Sequence, residues 1–161
     1  FALHFLNHQV CLAHLLRELQ YMSELNNKQD WSGKITDLLR EAIHERNSNP
    51  SAAIPKTSWT EHLDSLLKIN VSSFGKKFET LKKGLIKCSD YIFNFLEDPL
   101  IPSDNNASER GIRKLKIKLK NSCTFRSDFG ADAFLELHSI VETAKKHNKT
   151  PFNAIQALFE A

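Results

Sequence analysis

The chain has 161 residues, of which 41% are hydrophobic and 25% charged, enough apolar material for a buried core and too much for a disordered tail. A net charge of +3 and a pI near 8.8 are only mildly basic, so total charge carries no argument for nucleic acid, and distribution matters more. Cys11, Cys88 and Cys123 form an odd, scattered set, which points to reduced thiols rather than a disulfide framework. No apolar run is long enough to cross a bilayer and no signal-peptide pattern opens the chain, so the expectation is a soluble cytoplasmic protein without a membrane partner. The sequence starts at Phe1, without Met and inside an apolar pattern, and reads as a fragment of something longer.

In chain order, Val10, Cys11 and Leu12 read as a short buried strand, and Leu12, Leu15, Leu16 and Leu19 then have the spacing of a helix running toward Glu24. Cys11-x-x-His14 is half of a tetrahedral zinc site with no second pair at suitable spacing, so structural packing is the better reading. Residues 26–32 are a polar break. Ile35, Leu38, Leu39, Ala42 and Ile43 predict an amphipathic helix to about Arg46. Residues 47–51 are a loop, Pro55 prolongs it, and Thr57 or Ser58 is placed to cap a helix with Leu63, Leu66, Leu67 and Ile69 on its apolar side. His44 and His62 stand among charged residues on these helices, as expected of solvated faces.

Residues 74–96 form the longest periodic run, with Phe74, Phe78, Leu81, Leu85, Ile86, Ile92, Phe93 and Leu96 recurring every three or four positions and Gly84 tolerated inside. Lys76, Lys77, Lys82, Lys83 and Lys87 lie on the other side. A Lys-rich face ordinarily serves solubility, and phosphate contact is its less common role.

Pro99 and Pro102 interrupt that pattern, and Ser103 or Asp104 is then placed to cap a new helix. In it Asn105, Glu109 and Arg113 fall four residues apart on one side, while Ile112, Leu115 and Leu119 line another that can face a core. An exposed Glu–Arg pair at this spacing is common surface decoration. Arg110, Arg113, Lys114, Lys116, Lys118 and Lys120 follow with no acid among them. Residues 115–120 alternate strictly and suit a basic-faced strand, but Ile112, Leu115 and Leu119 fit a helix and no turn signal separates them from Glu109. A loop carries Phe125 and Arg126, and a further helix starts near Asp128 or Gly130. Its apolar residues Ala133, Phe134, Leu137, Ile140, Val141 and Ala144 lead to His147, with His138 read as a polar residue at a packed helix edge. Thr150 and Pro151 open a last short helix with Phe152, Ile155, Leu158 and Phe159.

The motif D-N-N-x-x-E-R-x-I-R, followed by K-x-x-x-x-K-N-x-x-x-F, resembles the C-terminal signature of the insertion sequence 66 family of DDE transposases. C-L-A-H-L-L-R-E-L resembles that family's C-x-A-H-x-x-R segment, and S-I-V-E-T-A-K-K-H-N-K-T-P-F resembles its ending. The likeness covers residues 9–19 and about 95–158; between them only the helical character matches.

The resemblance implies a mainly α chain: a helical insertion plus the C-terminal helices of a ribonuclease H-like core. Residues 1–25 would belong to that core as strand then helix, residues 26–97 to the insertion, and residues 98–161 to the C-terminal part of the core. It makes Glu109 the third acidic metal ligand of the catalytic triad, with Asp104, Asn105 and Asn106 supporting it, Cys11 and His14 near the active site, and Arg17 near DNA. Two catalytic aspartates would lie before Phe1. Magnesium or manganese would serve the full-length protein, with none held tightly by the fragment. DNA, as transposon ends and target, would be the partner of a homo-oligomer associated with the nucleoid, and Arg110, Arg113, Lys114, Lys116, Lys118 and Lys120 would meet its backbone. Two other readings stand beside this one: a non-catalytic helical DNA-binding module, and a helical oligomerisation domain.

Overall fold

The computed structural model describes residues 8–158, so the parts of these expectations that rest on residues 1–7 or on Phe159 lie outside it. Eight α-helices are found among the described residues: α1 (Leu12–Leu25), α2 (Trp31–Ser48), α3 (Thr57–Leu67), α4 (Lys76–Cys88), α5 (Asn94–Glu97), α6 (Asn106–Ser122), α7 (Asp128–Lys146) and α8 (Pro151–Gln156). The chain divides into two compact units, residues 1–105 and residues 106–161.

In the first unit, Leu12, Leu15, Leu19 and Met22 form the buried stripe of α1, which packs on α2 through Trp31, Ile35, Leu38, Leu39 and Ala42. Leu63, Leu66 and Leu67 of α3 and Phe78, Leu81 and Leu85 of α4 close the same core. Trp31 is fully buried and its indole N–H donates to the Leu66 carbonyl at 3.0 Å, at the end of α3, with the Phe78 ring 6.3 Å away. The helix α3 begins at Thr57 with Lys56 in the capping position and no side-chain cap bond. Neither Thr57 nor Ser58 caps it, because the Lys56 carbonyl already accepts the Thr60 N–H at 2.9 Å and both hydroxyl residues lie inside the helix.

No strand forms among the described residues. Val10 and Cys11 are the expected extended segment, but they make isolated backbone bonds rather than a ladder. The Val10 N–H donates to Tyr91 O and the Leu12 N–H to Ser103 O, both at 2.9 Å. Side chains complete the seam: the Phe95 N–H donates to Gln9 Oε1 at 2.9 Å, Gln9 Nε2 donates to Ile92 O at 2.9 Å, and Asn94 Nδ2 donates to His8 O at 2.6 Å.

The periodic run over residues 74–96 is not one helix. A 3-10 turn at Ser72–Phe74 precedes α4, Gly75 between them has φ +113°, and a second 3-10 turn at Ser89–Tyr91 separates α4 from α5. Glycine suits Gly75 because side chains disfavour that backbone region. After the break Ile92, Phe93, Phe95 and Leu96 are all buried, and Phe93 meets Trp59 at 6.3 Å between ring centres. The Tyr91 and Ile92 carbonyls, which a continuous helix would use for its own next turn, accept from the Val10 N–H and Gln9 Nε2.

Arg46 ties that turn down. Its guanidinium donates to the carbonyls of Phe95 (2.9 Å), Leu96, Asn49 (3.0 Å) and Ala52 (2.6 Å), joining the end of α2 to the loop after it and to α5. Arg46→Met keeps much of the stem packing but removes a donor from all four carbonyls, of which Leu96 O and Asn49 O keep the Ile54 and Ala52 amides. We expect a loss of about 2 kcal/mol in urea unfolding; a midpoint unchanged within error would show that water replaces the guanidinium fully.

In the second unit α7 packs on α8. Ser127 Oγ accepts from the Gly130 N–H at 3.1 Å and starts α7, and Thr150 Oγ1 accepts from the Asn153 N–H at 3.3 Å with Pro151 in the first helical turn. The strictly alternating stretch after Lys114 is helix, within α6. Its apolar stripe does not face a core among the described residues: Ile112 is 44% exposed and Leu119 43%, and Ala144 of α7 is the one described residue of this unit that is buried. An amphipathic period says that a face can be covered, and it does not say that these residues supply the cover.

Candidate functional site

The helix that carries Glu109 starts at Asn106, one or two residues later than a cap at Asp104 or Ser103 predicts. Ser103 is used otherwise, its carbonyl accepting the first amide of α1. Asn105 therefore lies just outside the helix, and the line of residues four apart is reduced to Glu109 and Arg113. Glu109 sits half-exposed in the first turn, where a carboxylate is favoured by the unpaired backbone N–H groups.

The two motif ends of the first unit meet. The Asn105 N–H donates to Cys11 Sγ at 3.3 Å, and His14 Nδ1 lies 3.0 Å from the same sulfur. With Leu12 bonded to Ser103, the segment 103–105 is fastened to the first turn of α1. Cys11 thus acts as a hydrogen-bond acceptor and hub. Arg17, one turn further along α1, is exposed and its Nε donates to the Ala13 carbonyl of its own helix at 3.1 Å. Cys11→Ala removes the acceptor and is expected to speed hydrogen exchange at the Asn105 amide, while Cys11→Ser retains an acceptor and much of the protection. Equal exchange in all three proteins would show that the sulfur contact does not hold this segment.

On α6 the cations Arg110, Arg113, Lys114, Lys116, Lys118 and Lys120 are all exposed. At about 100° per residue they spread over roughly 200° of the helix circumference. Lys114 Nζ lies 3.4 Å from Glu142 Oε1 on α7, which Lys145 also approaches at 2.7 Å. The bond from Lys145, aided by Lys114, holds the Glu142 carboxyl below the usual carboxylate range, and Glu142 in turn raises the Lys145 ammonium. His138 Nε2 is buried without a hydrogen-bond partner, and its ring stacks on Phe134 at 6.2 Å.

Among the described residues no three of His, Cys, Asp or Glu gather as a metal site, and no helix is long and apolar enough to cross a membrane. Glu109 supplies a hard carboxylate oxygen of the kind that magnesium prefers, so the donor fits in chemistry, but one donor does not complete a site. The residues that organise the first unit around the motif, Gln9, Asn94 and Arg46, were not legible as such, since their partners stand 49 to 86 positions away in sequence.

The model of a protein family described as "Transposase IS66 family" matches residues 2–133. No curated protein and no solved structure matches the chain.

Proposed function

The chain belongs to the IS66 family of transposases, and from that membership we propose that it is the C-terminal part of a DDE transposase in which Glu109 is one of three carboxylate ligands to a pair of divalent metal ions. The observation that carries this reading is the placement of Glu109 in the first turn of a formed helix within the matched residues, with Arg110 and Arg113 beside it. Its two partner aspartates would come from a ribonuclease H-like core, with residues 26–97 as a helical insertion and the protein acting as a homo-oligomer on two transposon ends.

Magnesium or manganese, when bound, stabilises the entering and leaving oxygens of an in-line displacement at phosphorus. This chain's own residues hold and orient. Glu109 offers the ligand oxygen, Asn105, Asn106 and Asp104 shape the start of its helix, and Arg110 and Arg113 suit bidentate contact with a non-bridging phosphate oxygen pair. Lys114, Lys116, Lys118 and Lys120 add sequence-independent attraction to the backbone. Cys11 and His14 fasten the segment that leads into the helix.

A lone carboxylate among cations does not assemble a divalent-metal site. The 161-residue chain by itself is therefore expected to bind DNA without nicking or joining it, whereas the full-length protein does both with magnesium. Robust metal-dependent nicking by the purified 161-residue chain would overturn the requirement for the two aspartates.

A further inference from the structure

The first unit segregates its charge. Residues 1–105 contain twelve Lys and Arg against thirteen Asp and Glu, yet α4 and its thirteen residues hold five of those cations and one of the acids, Glu79. No other long helix of the unit has a cationic excess: α2 sets Lys34, Arg40 and Arg46 against Asp37, Glu41 and Glu45, α1 sets Arg17 against Glu18 and Glu24, and α3 carries only Glu61 and Asp64.

The five lysines of α4 divide by position. Lys77 is committed to the fold, with Nζ 2.6 Å from Tyr21 Oη and 4.9 Å from the centre of its ring, and Lys82 donates to the Ile69 carbonyl at 2.7 Å. Lys76, Lys83 and Lys87 are exposed, and their ammonium groups make no ion pair or hydrogen bond with any described residue, Glu79 included. By the helical repeat these three fall within about 40° of one another, directly opposite buried Phe78, Leu81 and Leu85, and span about 16 Å along the axis. They form a straight row on the outer side of the unit.

Gly84 borders this row. It is exposed, and a Cβ there would meet nothing within 4 Å. Glycine in an exposed helix interior costs about 1 kcal/mol relative to alanine, and no packing constraint within the unit offsets that. Its effect is a bare strip between Thr80 and Lys87 where a bulky ligand can lie close to the helix.

We propose that Lys76, Lys83 and Lys87 form a second DNA-backbone contact surface, separate from the cations of α6. A row of exposed ammonium groups without a base-reading side chain suits phosphates and carries no sequence information. The inference rests on family membership for the identity of the polyanion and is independent of any role of Glu109.

The test is the salt dependence of duplex DNA binding by the full-length protein, with the three lysines changed together to Gln. Gln is nearly as good a helix former as Lys and the positions are exposed, so folding is retained. The slope of log K against log salt should shrink by about 2.7, with affinity falling on the order of a hundredfold at 0.1 M salt. A matched loss of three charges elsewhere in the unit, at Lys28, Lys34 and Lys68, should change the slope by less than about 1. Equal slopes for the two triple variants would overturn the proposal. The readout is DNA affinity alone and needs no strand transfer, so a failure of this surface and a failure of the catalytic reading of Glu109 give different results.

Discussion

Glu109→Gln in the full-length protein is expected to lower strand cleavage and joining at least about a hundredfold while leaving the affinity for duplex DNA and its salt dependence unchanged. The substitution preserves shape and helix propensity but replaces an anionic oxygen donor with a neutral amide, and metal-held charge stabilisation is worth several kcal/mol in such displacements. Glu109 lies half-exposed in the first turn of α6, so a folding defect is not expected from the change. Strand transfer in magnesium and DNA binding as a function of salt are the two measurements. Undiminished strand transfer would reduce Glu109 to a surface carboxylate and leave a helical DNA-binding module. Joint loss of binding and transfer would assign it to the DNA interface instead.

Trp31→Ala should be the most damaging single change in the first unit, at about 3 to 5 kcal/mol. Trp31 is fully buried at the start of α2, touches Phe78 of α4, and is the donor to the last turn of α3, so its removal opens a large cavity and orphans a carbonyl together. Trp31→Phe separates the two effects: most of the ring volume stays and the indole donor goes, for an expected loss of about 1 to 2 kcal/mol. Urea unfolding followed by the remaining Trp59, which packs on Phe93 in the same core, reads both. A loss below about 1 kcal/mol for Trp31→Ala would mean that the three helices do not depend on this residue for their packing.

Much of the helical content was legible because helix periodicity and caps are local. Leu12, Leu15 and Leu19, or Ile35, Leu38, Leu39 and Ala42, announce a stripe without reference to anything distant, and Thr150-Pro151 announces a helix start. The errors came where a long-range demand overrode the local one. Residues 74–96 have the period of a helix, yet the chain breaks after Cys88, where the Tyr91 and Ile92 carbonyls bond Val10 and Gln9 from the far end of the unit's sequence. Ser103 has the chemistry of a cap, yet its carbonyl is taken by the first amide of α1, and the helix starts at Asn106.

The same division holds for the site. Sequence alone determined the residue types and their helical phase: a carboxylate at Glu109 one turn from Arg113, cations without acids from Arg110 to Lys120, and a Lys-rich side of α4. These follow from side-chain chemistry and a fixed repeat of about 3.6 residues per turn. Tertiary structure decided that the Cys11 sulfur meets the backbone of Asn105, that Arg46 fastens α5 to the end of α2, and that Lys77 and Lys82 are committed to the fold while Lys76, Lys83 and Lys87 are not. Each of these depends on partners brought together by packing from 13 to 94 positions apart, and no local pattern encodes such a pairing.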